Sequence, residues 1–249
     1  MSILRNSFSL TLCAVALACA SAGASAATVT LQYDQQQFVG QGVSIDMNAG
    51  SGTDFRTIPS GSLGMDVNGV SGTDLFTPDT GILAWCVELS QAVSTANTVY
   101  NIDTSGTQSW LNSLQKLVNQ RYTEVLSAAD GIASSAMQLA VWELVSGGTN
   151  LRDGNFQVNP VQNVSYPTES HAAIAKAQNW LDELNTGSVP ETDNYRIVVL
   201  TNNGAQDVVM FVPPSEVPLP GAALLFVSAL GAGGLARRRK GAGRKSVLA

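Results

Sequence analysis

The hydrophobic period changes twice along this chain, and that pattern restricts the fold more than any other feature. Alternating or β-rich runs occupy 28–33, 38–47, 82–89 and 98–102. The period then turns helical, with Trp110, Leu111, Leu114, Leu117, Val118, Tyr122, Val125 and Leu126 recurring at helical spacing. A second helix is expected to be capped by Asp130 and to run through Met137, Val141, Trp142 and Val145 until Gly147-Gly148 stops it. A third is carried by Ile174, Ala177, Trp180, Leu181 and Leu184. Alternation returns at 195–201 and 207–212, two runs that flank Asn202-Asn203-Gly204-Ala205 and read as a hairpin with an Asn-Gly turn. Two strand groups so far apart must share one sheet. The expected class is α+β, an antiparallel β-sheet or sandwich with a helical insertion of about three helices. Residues 49–80 are rich in Gly, Ser, Thr and Asp and are expected to be loop. Their small echo, Ser51-Gly52-Thr53-Asp54-Phe55 and Ser71-Gly72-Thr73-Asp74-Leu75, reads as a pair of turns; a calcium or sugar loop is the other reading, but no regular ligand spacing follows.

The two ends read as processing segments. Residues 1–26 carry Arg5, an apolar stretch from Leu10 to Ala20 and Ala24-Ser25-Ala26, the order of a signal peptide. Residues 214–249 form a tail in three parts. Val217-Pro218-Leu219-Pro220 is an extended strip that a protease or transpeptidase can read. An apolar run, 221–236, is expected to be a short membrane helix. The basic end, 237–245, opens with Arg237, Arg238 and Arg239, which hold it in the cytoplasm. This arrangement resembles the PEP-CTERM sorting signal of Gram-negative bacteria, with Leu219 where Glu is commonest. The resemblance implies recognition by an exosortase, an inner-membrane intermediate, and delivery to the cell surface or exterior, commonly alongside exopolysaccharide and biofilm production.

Between those segments lies a body of 187 residues, 27–213, enough for one domain with a sizeable core. It holds six basic and 18 acidic residues, a net charge of −12, which repels phosphate backbones and argues against nucleic acid. Cys13 and Cys19 leave with the signal, so Cys86 is the one cysteine of the body and no intrachain disulfide can form. A lone thiol in an exported protein is either buried as a small hydrophobe or chemically engaged.

Most enzyme constellations are missing. His171 is the only histidine, at a helix start, where a cap or surface role is expected. No Gly-rich phosphate loop, His/Cys metal cluster or dinucleotide fingerprint is present, and no cofactor is expected. Asp182 and Glu183, adjacent on a helix, diverge and read as a solvated face.

Two segments remain. In Leu83-Ala84-Trp85-Cys86-Val87-Glu88-Leu89 a strand puts Cys86 on one face with Ala84 and Glu88, and Trp85, Val87 and Leu89 on the other. In Met137-Gln138-Leu139-Ala140-Val141-Trp142-Glu143-Leu144 a helix sets Gln138 in a stripe with Val141, Trp142 and Val145, where its amide needs a partner or costs about 1–3 kcal/mol. Together they resemble the thioester domains of Gram-positive surface adhesins, in which an aromatic-Cys-aliphatic-acidic motif precedes a Gln-x-aliphatic-aliphatic-Trp motif. Trp85-Cys86-Val87-Glu88 matches the first. Gln138-Leu139-Ala140-Val141-Trp142 matches the second, with Met137 where Thr is usual. The resemblance implies an internal thioester between Cys86 and Gln138; such an activated acyl group needs shielding from water, which Trp85 and Trp142 are placed in the sequence to provide.

The expected function is that of an exported surface or matrix protein, not an enzyme, able to bind covalently to an amine-bearing partner. The alternative is a non-covalent structural or biofilm-matrix protein of the same fold, in which Cys86 and Gln138 are packed core residues.

Overall fold

A computed structural model describes residues 26–34, 43–49, 56–103, 105–128, 131–160, 167–187, 189–191 and 193–213. The elements are β1 (Thr28–Tyr33), β2 (Val43–Ala49), β3 (Arg56–Ser60), β4 (Leu63–Ser71), β5 (Gly81–Cys86), β6 (Thr98–Asp103), α1 (Leu111–Ala128), α2 (Gly131–Val145), β7 (Phe156–Pro160), α3 (Pro167–Thr186), β8 (Arg196–Thr201) and β9 (Val208–Val212). The expected α+β class stands, and the distant strand groups do share one sheet. That sheet closes into an antiparallel barrel in the order β1-β4-β5-β9-β8-β6, with β6 returning to β1. Closure gives each of these six strands a neighbour on both sides. A second sheet, β3-β2-β7, stands beside it.

The late strands and β5 are buried on both faces, which is why Ile197–Leu200, Val208–Phe211 and Ile82–Cys86 read as nearly continuous apolar runs. One face of β5 and β9 carries Trp85, Val209 and Phe211 and meets α1 through Tyr122. The other face is the barrel interior. There Cys86 pairs with Val208, Val208 with Leu200, and Leu200 with Ile102, while Tyr100 lies two residues from Ile102 on the same side.

Two sequence expectations need correction. Residues 49–80 are not all loop, since they hold β3 and β4, and β4 is a full barrel strand between β1 and β5. Leu63, Met65 and Val67 are its buried side, alternating with Gly64, Asp66 and Asn68, which dilute its composition to that of a loop. The second copy of the echo does turn the chain out of β4, with Thr73 Oγ1 accepting the Leu75 N–H at 3.1 Å; the first copy lies outside the described residues. The stripe on α2 is the second correction. Residues 133–144 are buried all round, so α2 is a core helix wedged among α1, α3, β3 and β5, where no solvent face exists to define a stripe.

The hairpin β8–β9 forms, but neither Asn203 nor Gly204 takes a positive φ. Side chains close its loop instead: Asn202 Oδ1 accepts the Gly204 N–H and Asp207 Oδ1 accepts the Asn202 N–H, each at 2.7 Å. Helix α3 begins earlier than its apolar spacing implies, at Pro167, where a ring with no N–H costs nothing. The expected cap Asp130, residues 1–25 of the signal peptide, the motif Val217–Pro220, the apolar run 221–236 and Arg237–Arg239 lie outside the described residues. Among the described residues no helix is long and apolar enough to cross a membrane.

Candidate functional site

The site arises where one strand stops short. Leu63 of β4 pairs with Ala84 of β5, so a continued β4 would set residue 61 against Cys86. The chain before Leu63 turns to α2 instead. The Ser62 N–H donates to Ser134 Oγ at 2.8 Å, Ser134 Oγ lies 3.0 Å from Ser62 Oγ, Ser60 Oγ donates to the Ser135 carbonyl at 3.3 Å, and Ser135 Oγ donates to the Ser60 carbonyl. On its β9 side the segment is fully paired, the Val87 N–H donating to the Asp207 carbonyl at 2.9 Å. The N–H and C=O of Cys86 point the other way and have lost their strand partner.

Gln138 fills that gap. It sits one turn along α2 from Ser134 and Ser135, on the side that meets β4 and β5. Its Oε1 accepts the Cys86 N–H and its Nε2 donates to the Cys86 carbonyl, both at 2.8 Å. The carboxamide thus acts as a substitute peptide group and answers the demand that burial makes on a glutamine amide. Ser60, Ser62, Ser134, Ser135 and Gln138 form a polar seam that is almost wholly excluded from solvent. The seam was not anticipated from sequence. Its local signal is the Ser134-Ser135-x-x-Gln138 spacing on an otherwise apolar helix.

The Cys86 thiol is free and buried, and burial pushes its pKa up to about 12, so it is protonated at neutral pH. Two tyrosines share its surroundings. Tyr100 is fully buried, its hydroxyl has no hydrogen-bond partner among the described residues, and burial, then the nearby Cys86 and Asp207, push it up to about 12. Tyr33 is likewise raised, by burial first and then by Cys86 and Asp34. Past the end of β5, Gln206 Nε2 donates to the Glu88 carbonyl. Glu88 lies two residues past Cys86, beyond the end of β5. It is half-buried, and its Oε2 is buried without a hydrogen-bond partner among the described residues.

Both tryptophans are buried. Trp85 points away from the barrel interior, stacked on Phe211 at 4.8 Å between centroids and edge-on to Tyr122 at 5.5 Å. Trp142 follows Gln138 by one helical turn and packs on Phe156 at 5.9 Å. Farther along α2, Glu143 is a buried carboxylate that sequence reading did not single out. Its Oε1 accepts the Asn150 N–H at 2.8 Å and it presses on Gly148, where a Cβ would collide with it. Burial raises its pKa, the Asn150 bond works against that, and the charge of Asp153 adds to it.

His171 is exposed on α3, beside Arg152 at a surface hollow that Cys86 does not line. Asp182 and Glu183 diverge as expected, to Gln178 and Arg121 respectively. Among the described residues no group of three or more His, Cys, Asp or Glu side chains could hold a metal ion.

No protein-family model matches the sequence, and no curated protein matches it. Among solved structures the chain is similar to the N-terminal domain of the Streptococcus pyogenes pilus tip adhesin Cpa, at 13% identity and a TM-score of 0.38, over 74% of this chain and 98% of that one. It is also similar to the N-terminal thioester domain of the fibronectin-binding protein SfbI from Streptococcus pyogenes, at 16% identity and a TM-score of 0.38, over 70% of this chain and 95% of that one.

Proposed function

We propose that this chain is an exported protein of the cell surface or extracellular matrix in which Cys86 and Gln138 condense into an internal thioester that captures an amine-bearing partner. The observation that carries this reading is the two-point clasp of the Gln138 carboxamide on the Cys86 backbone. It holds the amide beside the only cysteine of the body. It also supplies what an attack on the amide carbon needs. Sulfur adds to that carbon, negative charge gathers on Oε1, and the Cys86 N–H already donates there. The C–N bond then breaks, the thiol proton passes to the nitrogen, and ammonia leaves. The acyl group that results is activated and buried. A partner's amine displaces the sulfur, leaving an amide at Gln138 and a free Cys86 thiol. Each chain reacts once, so this is a covalent binder and not a turnover enzyme.

The address rests on the ends of the sequence. Residues 1–26 direct export. The tail, with Val217-Pro218-Leu219-Pro220, the apolar run and Arg237–Arg239, supports an inner-membrane intermediate, processing by an exosortase and release to the surface or exterior of a Gram-negative cell. An exopolysaccharide matrix or an amine-bearing surface protein is the partner that this address offers.

A non-covalent structural or matrix role is the second reading. It draws on the Cys86 thiol itself, which burial keeps protonated and so weakly nucleophilic. Intact mass of freshly purified full chain, kept near neutral pH, separates the two. The thioester form is one ammonia lighter than its sequence, resists alkylation, and on treatment with methylamine gains one amine and frees one thiol. Cys86→Ala abolishes the mass deficit and the methylamine adduct. A thiol that alkylates only on unfolding, in a chain of unmodified mass, refutes the thioester and leaves the second reading.

A further inference from the structure

Resting on that reading, we infer that the Tyr100 hydroxyl is the proton donor for the Cys86 sulfur when the thioester opens, reaching it across the interior of the barrel. β5 and β6 stand three strands apart in the six-stranded ring, so they face each other. Cys86 and Tyr100 both lie on the inward side of their strands. Trp85, on the alternate side of β5, packs outward on Phe211 and Tyr122. Tyr100 shares its side of β6 with Ile102, which the ladder through Leu200 and Val208 joins to Cys86. Tyr100 is fully buried, so its ring lies inside the closed sheet. The two groups whose charges bear on its acidity, Cys86 and Asp207, lie on β5 and just before β9. The hydroxyl end of the ring is thus directed at the wall that holds the sulfur.

Among the described residues this hydroxyl has no hydrogen-bond partner and holds nothing in place. Burying it so costs stability, and a phenylalanine would fill the same space without that cost. Tyr33, the other phenol whose acidity Cys86 affects, is partly exposed. The sulfur, by contrast, needs a donor. Its neighbours on the inward side, Ala84, Val208, Leu200 and Ile102, are apolar, and a thiolate expelled among them is poorly solvated. Burial brings the Tyr100 hydroxyl and the Cys86 thiol to the same acidity, each about 12, so a proton passes between them at little cost.

Opening balances with water as the only other proton carrier. The lone pair of a partner's R–NH2 forms a bond to the Gln138 acyl carbon, and the C–S bond breaks with its electron pair on sulfur. Tyr100 gives its O–H proton to that sulfur, restoring the Cys86 thiol. The new amide nitrogen sheds one proton to water, and the Tyr100 phenolate takes one back from water. With ammonia as the amine, this reaction is the reverse of thioester formation, so in formation the same phenol oxygen takes the thiol proton.

Tyr100→Phe removes the hydroxyl and keeps the ring. On freshly purified full chain, intact mass follows thiol release by methylamine and by hydroxylamine at neutral pH. The urea midpoint is measured in a Cys86→Ala background, where no thioester contributes. Tyr100→Phe should release the thiol about tenfold or more slowly than wild type with both probes alike, because the leaving sulfur is common to both. Its urea midpoint should be unchanged or raised, because the hydroxyl lost is buried without a partner among the described residues. A Tyr100→Phe chain with an undiminished midpoint but the full mass of its sequence supports the same role, exercised in formation. Release at the wild-type rate, slowing with one probe alone, or slowing with a lowered midpoint overturns the role of Tyr100 while the thioester stands. A wild-type chain of unmodified mass overturns the thioester reading and this inference with it.

Discussion

Replacing Gln138 by Leu in a Cys86→Ala background isolates the worth of the carboxamide clasp. Alanine at 86 retains the backbone N–H and C=O that Gln138 engages, and it removes the sulfur, so no thioester contributes to the measurement. Leucine fills nearly the same volume but offers neither donor nor acceptor. Two buried backbone groups then lose their partners, at about 1–3 kcal/mol each, which predicts a loss of about 2–6 kcal/mol. No strand can step in, because the Ser60–Ser62 backbone is bonded to Ser134 and Ser135. Against a typical domain stability of about 5–15 kcal/mol this is a large fraction. Urea unfolding of the single and double variants, followed by circular dichroism, reads the difference as a fall in midpoint at constant slope. A loss below about 1 kcal/mol would mean that the Cys86 backbone finds other partners, and the clasp would not then be what orders this end of β5.

Glu143 should make stability depend on pH. Its folded-state pKa is raised, so the native state holds the proton to higher pH than the unfolded chain does, and the stability it contributes grows as pH falls through that raised value and is lost as pH rises. Urea midpoints at neutral and mildly acidic pH should therefore shift in favour of wild type over Glu143→Gln on acidification; parallel shifts would count against this. At the chain ends, residues 1–26 fused to a reporter should direct secretion with cleavage near Ala26, and an exported reporter with an intact N-terminus would contradict it. Pro218→Ala with Pro220→Ala should leave the protein in the inner membrane, checked by fractionation; unchanged release from a host that processes the wild type would argue against exosortase recognition.

Much of this architecture is legible locally. Helical spacing from Trp110 to Leu126 defines α1, and the runs 195–201 and 207–212 define the hairpin, because each depends on near neighbours. What escapes is pairing at a distance. β4 hides because Gly64, Asp66 and Asn68 alternate with its apolar residues, so its composition imitates a turn although its alternation is that of a strand. Barrel closure depends on β1 meeting both β4 and β6, a register that neither segment encodes alone. The candidate site divides along the same line. Gln138 is conspicuous as an amide in an apolar helix, and Cys86 as a lone thiol. Their meeting through the backbone of Cys86 depends on where β4 ends, which Ser134 and Ser135 decide. Tyr100 reads from sequence as one more strand aromatic, and its hydroxyl, without a partner among the described residues, emerges only when the barrel closes around it.

The barrel also has a polarity. Cys86 is level with Val208, whereas the last described strand ends at Val212 beside Arg196, four residues or about 14 Å farther along the sheet. The polypeptide that continues past Val212 therefore departs from the opposite rim to the one that holds Cys86. On the proposed reading, tethering through the tail would turn the thiol rim outward, away from the anchor. On that reading a captured partner is bonded to Gln138, so a pull on it would enter the body through α2 and the carboxamide clasp on Cys86 rather than through the end of a strand.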